Sequence, residues 1–170
     1  KPIPDAENAL KSERDDSLIG ALLTVKGLCE VQLALFDEAL NDLNSALEID
    51  RSIHGDEHIN LKTSLNNLAG LYIRLGKYAE AEPLIKRSME LSEKALGPNH
   101  PDVAPCLSNL GEVYLNQGRY GEAYSLIKRS LKISVEALGP EHPDLANPIN
   151  NLARLYIEQG EYSEAESNIK

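Results

Sequence analysis

Apolar positions along this chain recur at the three- and four-residue spacing of helices that bury one face. The clearest run is Leu65, Leu68, Ala69 and Tyr72, followed by Gly76 and then Tyr78, Glu80 and Ala81. It returns as Leu107, Leu110, Gly111, Tyr114, Gly118, Tyr120, Glu122 and Ala123. A third copy reads Ile149, Leu152, Ala153, Tyr156, Gly160, Tyr162, Glu164 and Ala165. Tyr72, Tyr114 and Tyr156 stand 42 positions apart. A constant period of about 20–50 residues marks a stacked array whose units cannot bury their apolar faces alone.

Each unit reads as two helices. The second unit predicts helices over about 60–74 and 78–96, the third over 102–116 and 120–138. The fourth predicts one from Asp144 to about Gln159 and the start of another at Tyr162. The first unit, residues 15–55, is degenerate: Phe36 stands for the tyrosine, Ala34 for the turn glycine and Glu30 for the mid-helix tyrosine. Its first helix is expected to start near Asp15-Asp16-Ser17, where acidic and hydroxyl residues suit an N-terminus, and to run to about Ala34. Its second runs from Phe36 to Ser52, and residues 5–14 form a separate short helix or the tail of an earlier one. Residues 1–170 thus make a single domain, divided as 1–14, 15–55, 56–97, 98–139 and 140–170.

The linkers follow a common logic. Gly97 and Gly139 can end a helix at positive φ, and Pro98 and Pro140 prevent its continuation. His100 or His142 then sits at the next cap, with Pro101 or Pro143 at the first helical position and Asp102 or Asp144 near the free amides. Gly76, Gly118 and Gly160 leave a turn short enough to force the two helices antiparallel. Ala69, Gly111 and Ala153 are expected to face Ala81, Ala123 and Ala165, so the backbones approach closely.

Composition narrows the function classes. A net charge of −10 disfavours nucleic acid and anionic membrane as partners, since both are negative. No apolar run approaches the roughly 18–20 residues of a membrane span. Cys29 and Cys106 make neither a disulfide framework nor a metal spacing, so free thiols in a reducing compartment, the cytoplasm, are expected. His58, His100 and His142 recur once per linker, but packed helices lie about 8–10 Å apart, too far for equivalent positions to share a metal. No phosphate-binding loop, metalloprotease helix or nucleophile elbow occurs, and Glu80, Glu122 and Glu164 form no carboxylate pair. Lys86-Arg87 and Lys128-Arg129, on the second helices, read as a solvated face. Neither an enzyme nor a cofactor site is expected.

The pattern Leu-x-x-Leu-[Ala/Gly]-x-x-Tyr-x-x-x-Gly-x-Tyr-x-Glu-Ala resembles the tetratricopeptide repeat. The 42-residue period, the Leu-Asn-Asn-Leu-Ala segment and the Ala-Leu-Gly-Pro-x-His-Pro-Asp linker are similar to its kinesin-light-chain type. The likeness is specific over residues 56–170 and weak over 15–55. It implies an all-α, right-handed superhelical solenoid of antiparallel helix pairs. It also implies a concave groove, lined by the first helices, that holds a peptide segment or a partner helix, so that the protein acts as a scaffold or adaptor.

The positions of the first helices not used by the Leu-Leu-Ala-Tyr core form a polar stripe. In the second unit it includes Thr63, Asn66, Asn67 and Arg74; in the third, Ser108, Asn109, Glu112 and Asn116; in the fourth, Asn147, Asn150, Asn151 and Arg154. A side-chain amide both donates and accepts, so it can pair with an extended peptide backbone whatever its sequence. Asn66 and Asn150 are expected to face the groove. Asn67, Asn109 and Asn151 are balanced between the groove and a bond to the adjacent unit's backbone. Arg74 and Arg154 suit a ligand carboxylate, but for either one alone an internal pair with Glu112 or Glu158, or simple solvation, is the favoured expectation. The rival to peptide binding is a spacer or self-assembling module attached to a domain elsewhere, in which open repeat ends stack into a homo-oligomer.

Overall fold

The computed structural model describes residues 4–160, and the side chains of residue 12 and of residues 15–160. Seven helices follow one another: α1 (Pro4–Gln32), α2 (Phe36–His54), α3 (Leu61–Arg74), α4 (Tyr78–Leu96), α5 (Ala104–Asn116), α6 (Tyr120–Leu138) and α7 (Ala146–Glu158). A single 3₁₀ turn, Pro101–Val103 or Pro143–Leu145, leads into α5 and α7. No strand occurs among the described residues. The second helix of the fourth unit, with Tyr162 and Ala165, lies outside them.

The boundary expected between residues 14 and 15 is not there. One helix of 29 residues runs through it. The acidic and hydroxyl residues at 15–17 offer capping chemistry, but nothing between Asp5 and Gln32 stops the backbone ladder. The Gly-Pro-x-His-Pro linker that separates the later units has no counterpart at this point.

Within each of the first three units the turn is closed by a backbone bond six residues long. The Leu35 N–H donates to Glu30 O at 2.9 Å, Lys77 N–H to Tyr72 O at 2.8 Å and Arg119 N–H to Tyr114 O at 2.8 Å. Such a turn requires a left-handed residue before its last member. Glycine supplies it at Gly76 and Gly118, and Ala34 is forced to φ 60° in the degenerate unit. At the linkers, His100 Nδ1 accepts from the Asp102 N–H and His142 Nδ1 from the Asp144 N–H, both at 3.2 Å, so these histidines act as caps.

α1, α3 and α5 pack on the second helices of their own units, and α3, α5 and α7 on the second helix of the preceding unit. First helices also approach one another, α1 to α3, α3 to α5 and α5 to α7, whereas among the described elements no two second helices do. The array therefore curves with α1, α3, α5 and α7 on its inner side, as a right-handed superhelical solenoid. The core is continuous along it: Leu43, Leu47, Leu61 and Leu65 fill the first junction, and Ile85, Val113, Ile127 and Leu155 the later ones. Ala69 and Ala81 are fully buried, and a Cβ on Gly111 would lie 2.6 Å from Ile127 Cγ1. Small residues here set how closely the paired helices approach.

Candidate functional site

The polar stripe of the inner helices divides by what its side chains touch. Thr63, Arg74, Asn147 and Asn150 are exposed, Asn67 and Asn109 are half-buried, and none of the six bonds to another described residue through its side chain. Arg154 donates to Asn116 Oδ1 at 3.2 Å and lies 4.0 Å from Glu112 Oε1, while Asn116 Nδ2 donates to Glu112 O at 2.8 Å. These three hold one another across the α5–α7 step. The internal pairing weighed for Arg154 is the arrangement adopted.

Three residues depart from a groove-facing reading. Asn151 is only 7% exposed and donates to Ser108 O at 3.2 Å and to Ser108 Oγ at 3.3 Å. Both it and Ser108 are buried in the junction between the third and fourth units, because their short polar side chains satisfy each other there. Asn66 is half-buried, with Nδ2 3.6 Å from the Sγ of fully buried Cys106. The junction filled by Asn151 one step later is filled here by Asn66 and the thiol.

Between α5 and α7, beside the linker that joins their units, a cleft of about 340 Å³ opens. Ser108, Asn109 and Asn147 of the stripe line it, with Ser134 of α6 behind them. Three sequence-expected residues thus share one cavity, which periodicity alone did not indicate.

Sequence reasoning missed the charged clamps between units. Glu82 on α4 accepts from Lys86 Nζ at 2.7 Å, Tyr114 Oη at 3.1 Å and Arg119 Nη1 at 3.1 Å, and the Arg119 guanidinium lies 3.6 Å from the centre of the Tyr114 ring. The Lys86 ammonium first, then Arg119, Gln117 and Tyr114, pull the Glu82 carboxyl down to about 2 against the opposing effect of burial. Arg87 donates to Asp56 O at 2.9 Å and pairs with Glu57, while Arg129 donates to Pro98 O at 2.5 Å and to Glu93 Oε1 at 2.7 Å. The two arginines, 42 residues apart, tie α4 and α6 to the linkers before their own units. They are not simply the solvated face the sequence predicts.

Comparison with known proteins agrees with the geometry. The family model described as tetratricopeptide repeat matches residues 18–84, 63–123 and 107–170. The crystal structure of BtubC (BKLC) from P. vanneervenii superposes with a TM-score of 0.78 at 22% identity, covering 98% of this chain and 71% of that one. Two crystal structures of nearly identical TPR-like repeats of kinesin-light-chain type from Podosopora anserina, one a point variant, give TM-scores of 0.72 and 0.69. Both are 25% identical to this chain and cover 88% of it and 71% of their own length. No curated protein sequence matches the chain. Repeats of this kind generally serve as protein–protein interaction modules on a non-catalytic scaffold, and among the described residues no helix is long and apolar enough to cross a membrane. With its helix pairs, inner stripe and kinesin-light-chain-like period, the chain belongs to the tetratricopeptide repeat family.

Proposed function

We propose that the array holds an extended polypeptide segment along the inner side of α3, α5 and α7, and so acts as a scaffold or adaptor. One observation carries this reading: among the described residues, Thr63, Asn67, Arg74, Asn109, Asn147 and Asn150 make no side-chain hydrogen bond, on three adjacent helices. Polar groups that serve only the fold find partners within it, as Asn151 and Ser108 do. Amides in a row can pair with successive peptide groups of a bound strand without demanding a particular side chain.

The test is capture of peptides from a random decapeptide library by the intact protein and by the triple variant Asn67→Ala, Asn109→Ala, Asn150→Ala. Capture by the native protein and its loss in the variant, at unchanged helical circular dichroism, is the expected result. Equal capture by both removes these residues from the groove, and no capture by the native protein removes the reading itself.

A second reading, end-to-end stacking, is favoured by the outer face of α1. Ile19, Leu22 and Cys29 are exposed there, although Leu61, Ser64 and Leu71, and their equivalents in each later unit, are buried against the preceding second helix. Leu22 exposes 69% of its surface and its neighbour Leu18 64%. A further helix pair, from the same polypeptide or from a copy, would bury this face.

A further inference from the structure

Successive junctions use the same positions, so one can serve as a template for the next. Where the second unit meets the third, Lys62 on α3 pairs with Asp102 in the following linker and holds its carboxyl below the ordinary range. Forty-two residues on, Ala104 stands at the lysine position and Asp144 at the aspartate position. Asp144 has no lysine or arginine within ion-pair distance among the described residues; its near neighbour is His142, whose Nδ1 accepts the Asp144 backbone N–H and lies 3.8 Å from its carboxylate. The cleft of about 340 Å³ lies at this junction, lined by both Ala104 and Asp144.

Its inner wall holds a second unmet group. Ser134 is 7% exposed, lines the cleft, and makes no side-chain hydrogen bond to any described residue. Its equivalent one unit earlier, Ser92, donates to Ser88 O at 2.8 Å, and neighbouring Ser130 donates to Ala104 O at 2.7 Å. The Ser134 Oγ therefore faces solvent in the cleft and is open to an incoming donor. Pro148 stands where Cys106 closes the preceding junction against Ser88 and Asn66, and leaves the space open. Leu138 and Pro105 give the cleft apolar walls.

We propose that this cleft receives the side chain of a lysine or arginine from the polypeptide held in the groove, its cationic head on Asp144 and its aliphatic stem along Leu138. The assignment rests on the groove reading and names the chemistry of its partner. The incoming cation does at this junction what Lys62 does at the one before. Its remaining N–H groups meet the Ser134 hydroxyl and the Asn147 amide oxygen, which a cation with three or five donors can use at once. An acidic side chain is repelled by Asp144, and an apolar one gains no charge-assisted hydrogen bond from it. The net charge of −10 draws a basic segment in from a distance.

The experiment is a positional-scanning decapeptide library, with norleucine included as the uncharged counterpart of lysine, equilibrated with the native protein at low salt. Lysine and arginine should be enriched at one position about tenfold over norleucine, the discrimination expected of a hydrogen bond to a charged group. Ala104→Lys supplies the cation from within, and Asp144→Asn removes its counterion at an exposed carboxylate. Each should abolish the enrichment while peptides are still captured. Capture without basic enrichment on the native protein, or enrichment that survives both substitutions, overturns the cleft assignment and leaves the groove standing. Absence of any captured peptide overturns both.

Discussion

Ala34 closes the turn between α1 and α2 at φ 60°, where Gly76 and Gly118 take φ 68° and 74° in the next two units. An L-residue held there costs about 1–2 kcal/mol, because its Cβ crowds the following carbonyl. Glycine would remove that strain and lose about 0.5–1 kcal/mol through its greater freedom in the unfolded chain. Ala34→Gly should therefore raise stability by about 0.5–1 kcal/mol, read as a higher urea midpoint at unchanged slope. A lower midpoint would mean that the strain is absent. Residues at the same repeat position can have unlike fates, which limits what periodicity can say of the candidate site. Asn67 and Asn109 keep free amides, whereas Asn151 is buried against Ser108. The difference lies in the neighbour across the junction: Asn66 and Cys106 meet at one step, Ser108 and Pro148 at the next. No single-unit pattern carries that information.

Between elements, the Glu82 contact joins α4 to α5 and to the turn before α6. Folding lowers the Glu82 carboxyl from its ordinary 4.5 to about 2. A depressed carboxylate contributes stability that is fully present above its unfolded value and fades as pH falls toward its folded one. The contribution is thus intact at neutral pH and is lost between about pH 4.5 and pH 2. Partial solvation reduces it to roughly 1–2 kcal/mol. Glu82→Gln should lower the thermal midpoint at pH 7, and the gap between variant and native protein should close as pH approaches 2. A gap that stays constant with pH would assign the loss to packing. From α2 onward helix limits were legible in the sequence to within a residue or two, Tyr78–Leu96 and Tyr120–Leu138 among them, because glycine, proline and the apolar period act locally; the start of α1, which no such signal marks, was not. The Glu82 clamp was not. Its equivalents are Leu40 and Tyr124, so it occurs once and leaves no periodic trace.

In an array of this kind stability is a sum over units and the junctions between neighbours, so an uncovered end face costs the whole molecule one junction. The long α1 carries that face. Its counterpart residues, Leu61 in α3 and Val103 and Leu145 in the 3₁₀ turns before α5 and α7, lie 0–3% exposed, while Ile19 at the same repeat position is 47% exposed. Leu22 is 69% exposed where its counterparts Ser64, Cys106 and Pro148 are buried, and Leu18 and Val25 on the same helix are exposed as well. Stacking would cover this face, and the contact would be heterologous, joining one end of the array to the face of α1, so that assembly grows with concentration and does not stop at a dimer. Light scattering of the native chain should then give a mass that climbs above 18.7 kDa across a micromolar concentration series. Replacing Leu18 and Leu22 with glutamate should hold the mass constant and move the thermal midpoint little, since both side chains are largely in solvent. A native mass that does not rise with concentration removes self-stacking as the role of this face, and says nothing against the proposed groove along the inner side of α3, α5 and α7.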